Sequence, residues 1–168
     1  MSTSFIQISD CHIDDEKMVM DVDSVANLEN ILNHIKSRTF DALLVSGDLT
    51  HNGTPSAYKK LQEQLKVVDV DIHVMPGNHD DKRNLSQAFE TELQNVIQLG
   101  DWQIITLDSV QVNKVSGFLT KEQLLFLEEA ISETHAKYSV VCLHHPIVPM
   151  RSDWDDELSL ENPEDLFS

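Results

Sequence analysis

The sequence predicts an α/β fold in which a largely parallel sheet carries helices on its faces. Short β-type runs alternate with helix-type runs along its 168 residues. The opening order is β-α-β-α-β, the pattern of parallel strands joined by helical crossovers. "DALLVS" (41–46) and "YSVVCL" (138–143) are continuous apolar runs, as strands buried on both faces of such a sheet must be.

Each element follows from local chemistry. "FIQIS" (5–9) reads as a strand. "VANLENILNHI" (25–35) sets Val25, Leu28, Leu32 and Ile35 on one helical face. In "TPSAYKKLQEQLKVV" (54–68), Thr54 is a natural N-cap and Pro55 suits the first helical position. "DIHVM" (71–75) is the next strand, and residues 84–94 are a candidate helix. "NVIQLG" and "WQIITLD" form a hairpin about Gly100-Asp101. "TKEQLLFLEEAI" (120–131) opens with a capping box, Thr120 and Gln123. The tail, with Pro146, Pro149 and Pro163, is loop-like, with a last short helix after Asn162-Pro163.

With 40% hydrophobic and 24% charged residues, the chain has enough apolar content to bury a core, and residues 1–168 are expected to form a single domain. Its 29 acidic against 12 basic residues give a net charge of −17. That balance argues against nucleic acid or an anionic membrane as partner, since both require basic patches. It leaves room for a small phosphate substrate, because metal ions bound at acidic residues invert the local charge. Cys11 and Cys142 are expected as reduced, buried thiols. The amino terminus has neither a basic region nor a long apolar run, so no signal peptide or membrane span is expected and the location is cytoplasmic.

Four apolar strands end in polar clusters: Asp10-Cys11-His12, Gly47-Asp48, "PGNHD" (76–80) and His144-His145-Pro146. A lone Asp after a strand is usually a turn former or cap. The same coincidence at four strand ends is different, because parallel strands bring those ends into one crevice, where open α/β sheets bind ligands. Asp10 and His12 alternate along an extended chain, which would aim both to one side and turn Cys11 inward. Asp48 has two oxygens and can bridge two ions, Asn78 offers a carbonyl, and His144 offers an imidazole. This mixed N/O set suits Mn, Fe, Zn or Co. Two such ions about 3.5–4 Å apart activate water and clamp a phosphoryl group for in-line displacement. Pro76 and Gly77 make the turn that presents Asn78 and His79, while Asp81, Asp14 and Asp15 are expected as solvated charge. His51 lies near this site, and Asp153 and Trp154 are candidates to border a nucleotide pocket.

The motifs "DCH", "GD", "GNHD" and "HHP", in this order, resemble those of the calcineurin-like metallophosphoesterase superfamily. "VSGDLTHNGTPSAY", "WQIITLDS" and "SGFLTKEQLLFLEE" look most like the bacterial 3′,5′-cyclic-AMP phosphodiesterases of the CpdA/Icc type. The resemblance covers essentially the whole chain. It implies an αββα sandwich of two mixed sheets flanked by helices, and a metal-dependent hydrolase acting on a cyclic nucleotide. It implies that Asp10 and His12 bind one metal, Asp48 bridges both, and Asn78 and His144 bind the second. It further implies that Asn78 and His79 face the substrate phosphate, that His79 protonates the leaving oxygen, that Asp80 orients His79, and that His145 supports the substrate from behind. Other phosphodiesters, such as glycerophosphodiesters or sugar-nucleotide lipids, are alternative substrates, and a catalytically impaired metal-binding fragment is an alternative role. A homodimer is the candidate assembly. The family's later G-H-x-H motif, which supplies one histidine to each metal, does not occur after His145. The chain thus resembles the amino-terminal two-thirds of such an enzyme, with the fold incomplete at its C-terminus and each metal one protein ligand short.

Overall fold

The computed structural model describes residues 3–167. Its strands are β1 (Phe5–Ile8), β2 (Ala42–Ser46), β3 (Asp71–Met75), β4 (Asn95–Leu99), β5 (Trp102–Thr106) and β6 (Tyr138–Cys142). Its helices are α1 (Ser24–Ile35), α2 (Pro55–Leu65), α3 (Lys82–Phe89), α4 (Lys121–Ser132) and α5 (Asp153–Glu157), followed by a 3₁₀ turn at Pro163–Phe167. One sheet has the order β1-β2-β3 and is wholly parallel. The other, β4-β5-β6, joins an antiparallel hairpin to a parallel pair, so the mixed character belongs to this sheet alone.

The pleat of β2 explains how the layers stack. Leu43 and Val45 point into a core with Leu28 and Leu32 of α1 and Leu61 and Leu65 of α2. Ala42 and Leu44 point the other way, onto Ile97, Leu99 and Ile104 of the second sheet. Ile105 and Leu107 then meet Leu127 of α4. Every residue of β2 is consequently buried, which is why it reads as an unbroken apolar run. The layers run helix, sheet, sheet, helix.

The local signals behave as their chemistry requires. Thr54 caps α2 through Ala57 N, with Pro55 in the first turn. Thr120 and Gln123 close both halves of the capping box on α4. Three expectations need correction. The third helix is Lys82–Phe89 rather than 84–94, because Asp81 accepts from Asn84 N and starts it two residues earlier. Asp81 is solvent-facing, as expected, and serves as the cap as well. Asp14 is instead buried, and its carboxylate takes the Asn52 Nδ2 amide at 2.6 Å. β6 is half exposed, with Tyr138 54% accessible, because it forms the outer edge of its sheet. No helix among the described residues is long and apolar enough to cross a membrane.

Candidate metal centre

The C-terminal ends of β1, β2 and β3 lie side by side, as parallel pairing dictates. The loop after β1 stays zipped to the loop after β2: Asp10 N donates to Gly47 O at 3.0 Å, His12 N to Asp48 O at 2.9 Å, and Ile13 N to Leu49 O at 3.1 Å. This pairing does not use extended backbone. Asp10, His12 and Asp48 are all left-handed, with φ of 56°, 43° and 49°. The expected period-2 alternation of Asp10 and His12 is therefore wrong, although Cys11 does pack inward against the core. Two left-handed residues bring the side chains together, at about 1–2 kcal/mol of backbone strain each. Such strain persists at ligand clamps, where the surrounding structure over-determines it.

Asp48 is the hub. It is 4% exposed, and its Oδ1 accepts the backbone N–H of His79 at 2.9 Å. His144 Nε2 lies 3.5 Å from Oδ1, while His12 Nε2 lies 3.6 Å from Oδ2 and 3.9 Å from Asp10 Oδ1. Burial pushes the Asp48 carboxyl up, but the His144 ring and the His79 amide outweigh it and hold it below the usual range. His144 Nδ1 is 3.2 Å from Ser46 O, so it donates there and keeps Nε2 turned to Asp48. A carbonyl on the far nitrogen is the arrangement that orients a metal-ligating imidazole. Two close approaches depend on glycine. A Cβ on Gly47, whose φ is +96°, would strike the His144 ring, and one on Gly77 would strike the Asp48 carboxylate.

These residues fit divalent ions. Ligand atoms of Asp10, Asp48 and His144 lie within 4.8 Å of one another. The imidazole nitrogens stand 3.5–3.9 Å from the carboxylates. That is beyond a hydrogen bond, but it suits a cation that makes bonds of about 2.0–2.2 Å to each side. Asn78 lines the same cavity, of about 650 Å³, with Trp154 and Glu157 on another wall. This volume lies within the range of about 300–1,000 Å³ usual for small-molecule sites.

His79 is exposed at the rim, and its Nδ1 is 3.0 Å from the His51 carbonyl. Asp80 does not orient it. The Asp80 carboxylate faces inward, accepting from Leu49 N, Thr50 N and Gly77 N at 3.0–3.1 Å and from Tyr58 OH at 2.9 Å. It clamps two site loops to α2, because the turn at Gly77 aims it at their free amides. His51 is the residue that sequence reasoning undervalued. It stands three positions after Asp48, and its ring stacks on His79 at 4.9 Å and faces His12 at 5.6 Å. His145 lines the cavity but is 3% exposed, with Nδ1 2.7 Å from Ser109 Oγ. Burial, then the neighbouring His144, pushes its pKa down to about 4. Asp153 is not among the residues around this cavity.

Comparison with known proteins agrees with this geometry. A probable cyclic nucleotide phosphodiesterase from Vesicomyosocius okutanii is 51% identical over 168 residues, covering all of this chain and 72% of that protein. The 3′,5′-cyclic adenosine monophosphate phosphodiesterase CpdA of Pseudomonas aeruginosa is 28% identical, covering 99% of this chain and 63% of its own length. Among solved structures, a dimetal phosphatase from Danio rerio superposes with a TM-score of 0.76 at 13% identity, over 98% of this chain and 76% of that one. It shares the fold. The sequence pattern of the calcineurin-like phosphoesterases matches residues 3–166, and the chain belongs to that family of metallophosphoesterases.

Proposed function

We propose that this protein hydrolyses the phosphodiester of a 3′,5′-cyclic nucleotide, with cyclic AMP as the first candidate, to the 5′-monophosphate. The observation that carries the proposal is the convergence of Asp10, His12, Asp48 and His144 around one cavity that Asn78 and His79 also line. The named relatives, described as cyclic nucleotide phosphodiesterases, support the substrate class.

Asp10, His12 and Asp48 would hold one divalent ion, and Asp48, Asn78 and His144 a second, drawn from Mn, Fe, Zn or Co. Bound there, such ions supply charge withdrawal from the phosphoryl oxygens and make water more acidic. The remaining work falls to the chain. Asp48, with a carboxylate oxygen facing each imidazole, keeps the two halves of the site in register. The His51 carbonyl takes the Nδ1–H of His79, which leaves Nε2 as the nitrogen available to substrate. Water oxygen forms the new P–O bond and releases one proton to solvent, the P–O3′ bond breaks, and a proton held on His79 Nε2 passes to O3′ and is replaced from solvent, so that one water is consumed in all. The carbonyl on Nδ1 also supports the protonated ring that this transfer needs.

The test is a substrate panel on Mn²⁺-loaded protein, with products separated by chromatography. Cyclic AMP should yield 5′-AMP and no 3′-AMP. Turnover of a glycerophosphodiester with cyclic AMP untouched would overturn the substrate assignment. No turnover of any diester by protein that holds its metal would overturn the activity.

A further inference from the structure

Beside the metal centre lies a second cavity, of about 220 Å³, that the proposed chemistry does not use. Ile8 of β1, Leu28 and Ile31 of α1, and Val19 and Val22 from the loop between them form its apolar walls. Asp10, His12 and Met20 border both this cavity and the larger one. The two spaces are thus neighbours across three side chains. A ligand held by its phosphodiester in the larger cavity has the smaller one within reach of its remaining part.

One feature distinguishes this cavity from a packing defect. It is the wall at residues 19–22, a two-residue hairpin. Val19 N donates to Val22 O at 2.9 Å and Val22 N to Val19 O at 2.8 Å, with Met20 and Asp21 both left-handed at φ of 49° and 64°. Turns of this shape normally use Asn or Gly. Met20 holds the strained position while 83% exposed, so no burial compensates it. Strain of this kind collects at ligand clamps.

We infer that this cavity is the nucleobase site: it takes the ring system of a cyclic nucleotide whose phosphodiester lies at Asp10 and His12. The inference rests on the cyclic-nucleotide proposal and deepens it. Apolar walls exclude a charged group. The volume lies below the roughly 300–1,000 Å³ of sites that enclose a whole drug-sized ligand, so one ring system fits and a complete nucleotide does not. The Asn27 amide, on α1, presents donors and an acceptor to the edge of the ring. The thioether of Met20, at the shared mouth, makes favourable contact with an aromatic face. Trp154 borders only the larger cavity and is 72% exposed, so it offers a platform but no enclosure.

The experiment compares calorimetric binding of 5′-AMP and ribose 5-phosphate to Mn²⁺-loaded protein, ligands that differ only by the base. The parent should bind 5′-AMP at least tenfold more tightly. Ile31→Trp fills the cavity from its rim, where Ile31 is 45% exposed and extra bulk is tolerated. It should cut the preference below twofold and leave ribose 5-phosphate binding and bis(4-nitrophenyl) phosphate turnover unchanged. Asn27→Ala should lower the preference about fivefold under the same controls. The inference is overturned if the parent shows no preference, if the preference survives in Ile31→Trp, if both ligands weaken equally in both variants, or if only Trp154→Ala abolishes it. Turnover of bis(4-nitrophenyl) phosphate without cyclic AMP hydrolysis would sink the substrate proposal instead, and the calorimetric comparison would still decide the base site.

Discussion

Asp80→Asn replaces one carboxylate oxygen with an amino group and should destabilise the protein by about 2 kcal/mol. In the native loop, Oδ2 accepts from Leu49 N and Gly77 N, both at 3.0 Å, and Oδ1 from Thr50 N at 3.1 Å, Thr50 Oγ1 at 3.2 Å and Tyr58 OH at 2.9 Å. An amide has a single oxygen. Its NH₂ does least harm on the Oδ1 side, where the two hydroxyls can rotate to accept from it and only Thr50 N–H loses its acceptor. One orphaned buried donor costs about 1–3 kcal/mol, and the two bonds that remain weaken from charge-assisted to neutral, each by roughly 0.5–1 kcal/mol. Against this, burial pushes the Asp80 carboxyl up even with these donors around it, so removing the charge relieves some desolvation. The balance of about 2 kcal/mol corresponds to a fall in melting temperature of about 4–8 °C for a chain of this size. Urea titration at pH 7, followed by circular dichroism, should show a lower midpoint with an unchanged slope. Stability within about 0.5 kcal/mol of the parent, with turnover lost as in a His79 variant, would refute the clamp and return Asp80 to an orienting role.

His79→Gln should lower diester turnover by about 10²–10⁴-fold with metal content unchanged by mass spectrometry; equal loss of both would make His79 a ligand. His145 stays neutral in the fold down to about pH 4, whereas in the unfolded chain it gains its proton near 6.5. Between those values the unfolded state binds more protons, so this group removes about 2 kcal/mol of stability as pH falls from 7 to 5. His145→Gln should flatten the pH slope of metal-free protein by that amount in urea titrations, and an unchanged slope would contradict the buried neutral ring. His144 runs the other way: burial pushes it down, Asp48 pulls it further up, and its contribution is lost as pH rises through its folded pKa. It is present in both proteins, so the comparison cancels it.

What was legible in the sequence was local or periodic. The apolar run of β2 reports burial on both faces, and Thr54-Pro55 and Thr120-Gln123 report helix starts through hydrogen bonds made within a few residues. Parallel pairing of β1, β2 and β3 collects the strand ends that carry Asp10, His12, Asp48 and Asn78, whereas His144 follows β6 of the other sheet and reaches them only because the two sheets pack face to face. What was not legible depends on partners far along the chain. The left-handed backbone at Asp10 and His12 is imposed by hydrogen bonds to residues 47 and 48. The direction of Asp80 is set by amides at 49 and 50 and by a tyrosine on α2. His51 joins the site because its own carbonyl meets a ring 28 residues away. Spacing cannot encode any of these. The N-cap at Asp81 was local, and it was obscured by the more conspicuous "GNHD" beside it.

The central claim is a pair of metal ions that share Asp48. Anomalous scattering from crystals grown with Mn²⁺ tests it most directly. The account predicts two peaks about 3.5–4 Å apart, one against Asp10 and His12, the other against Asn78 and His144, with the Asp48 carboxylate between them. A single peak held by the imidazoles of His12, His51 and His79, which also lie close enough to share an ion, would contradict it.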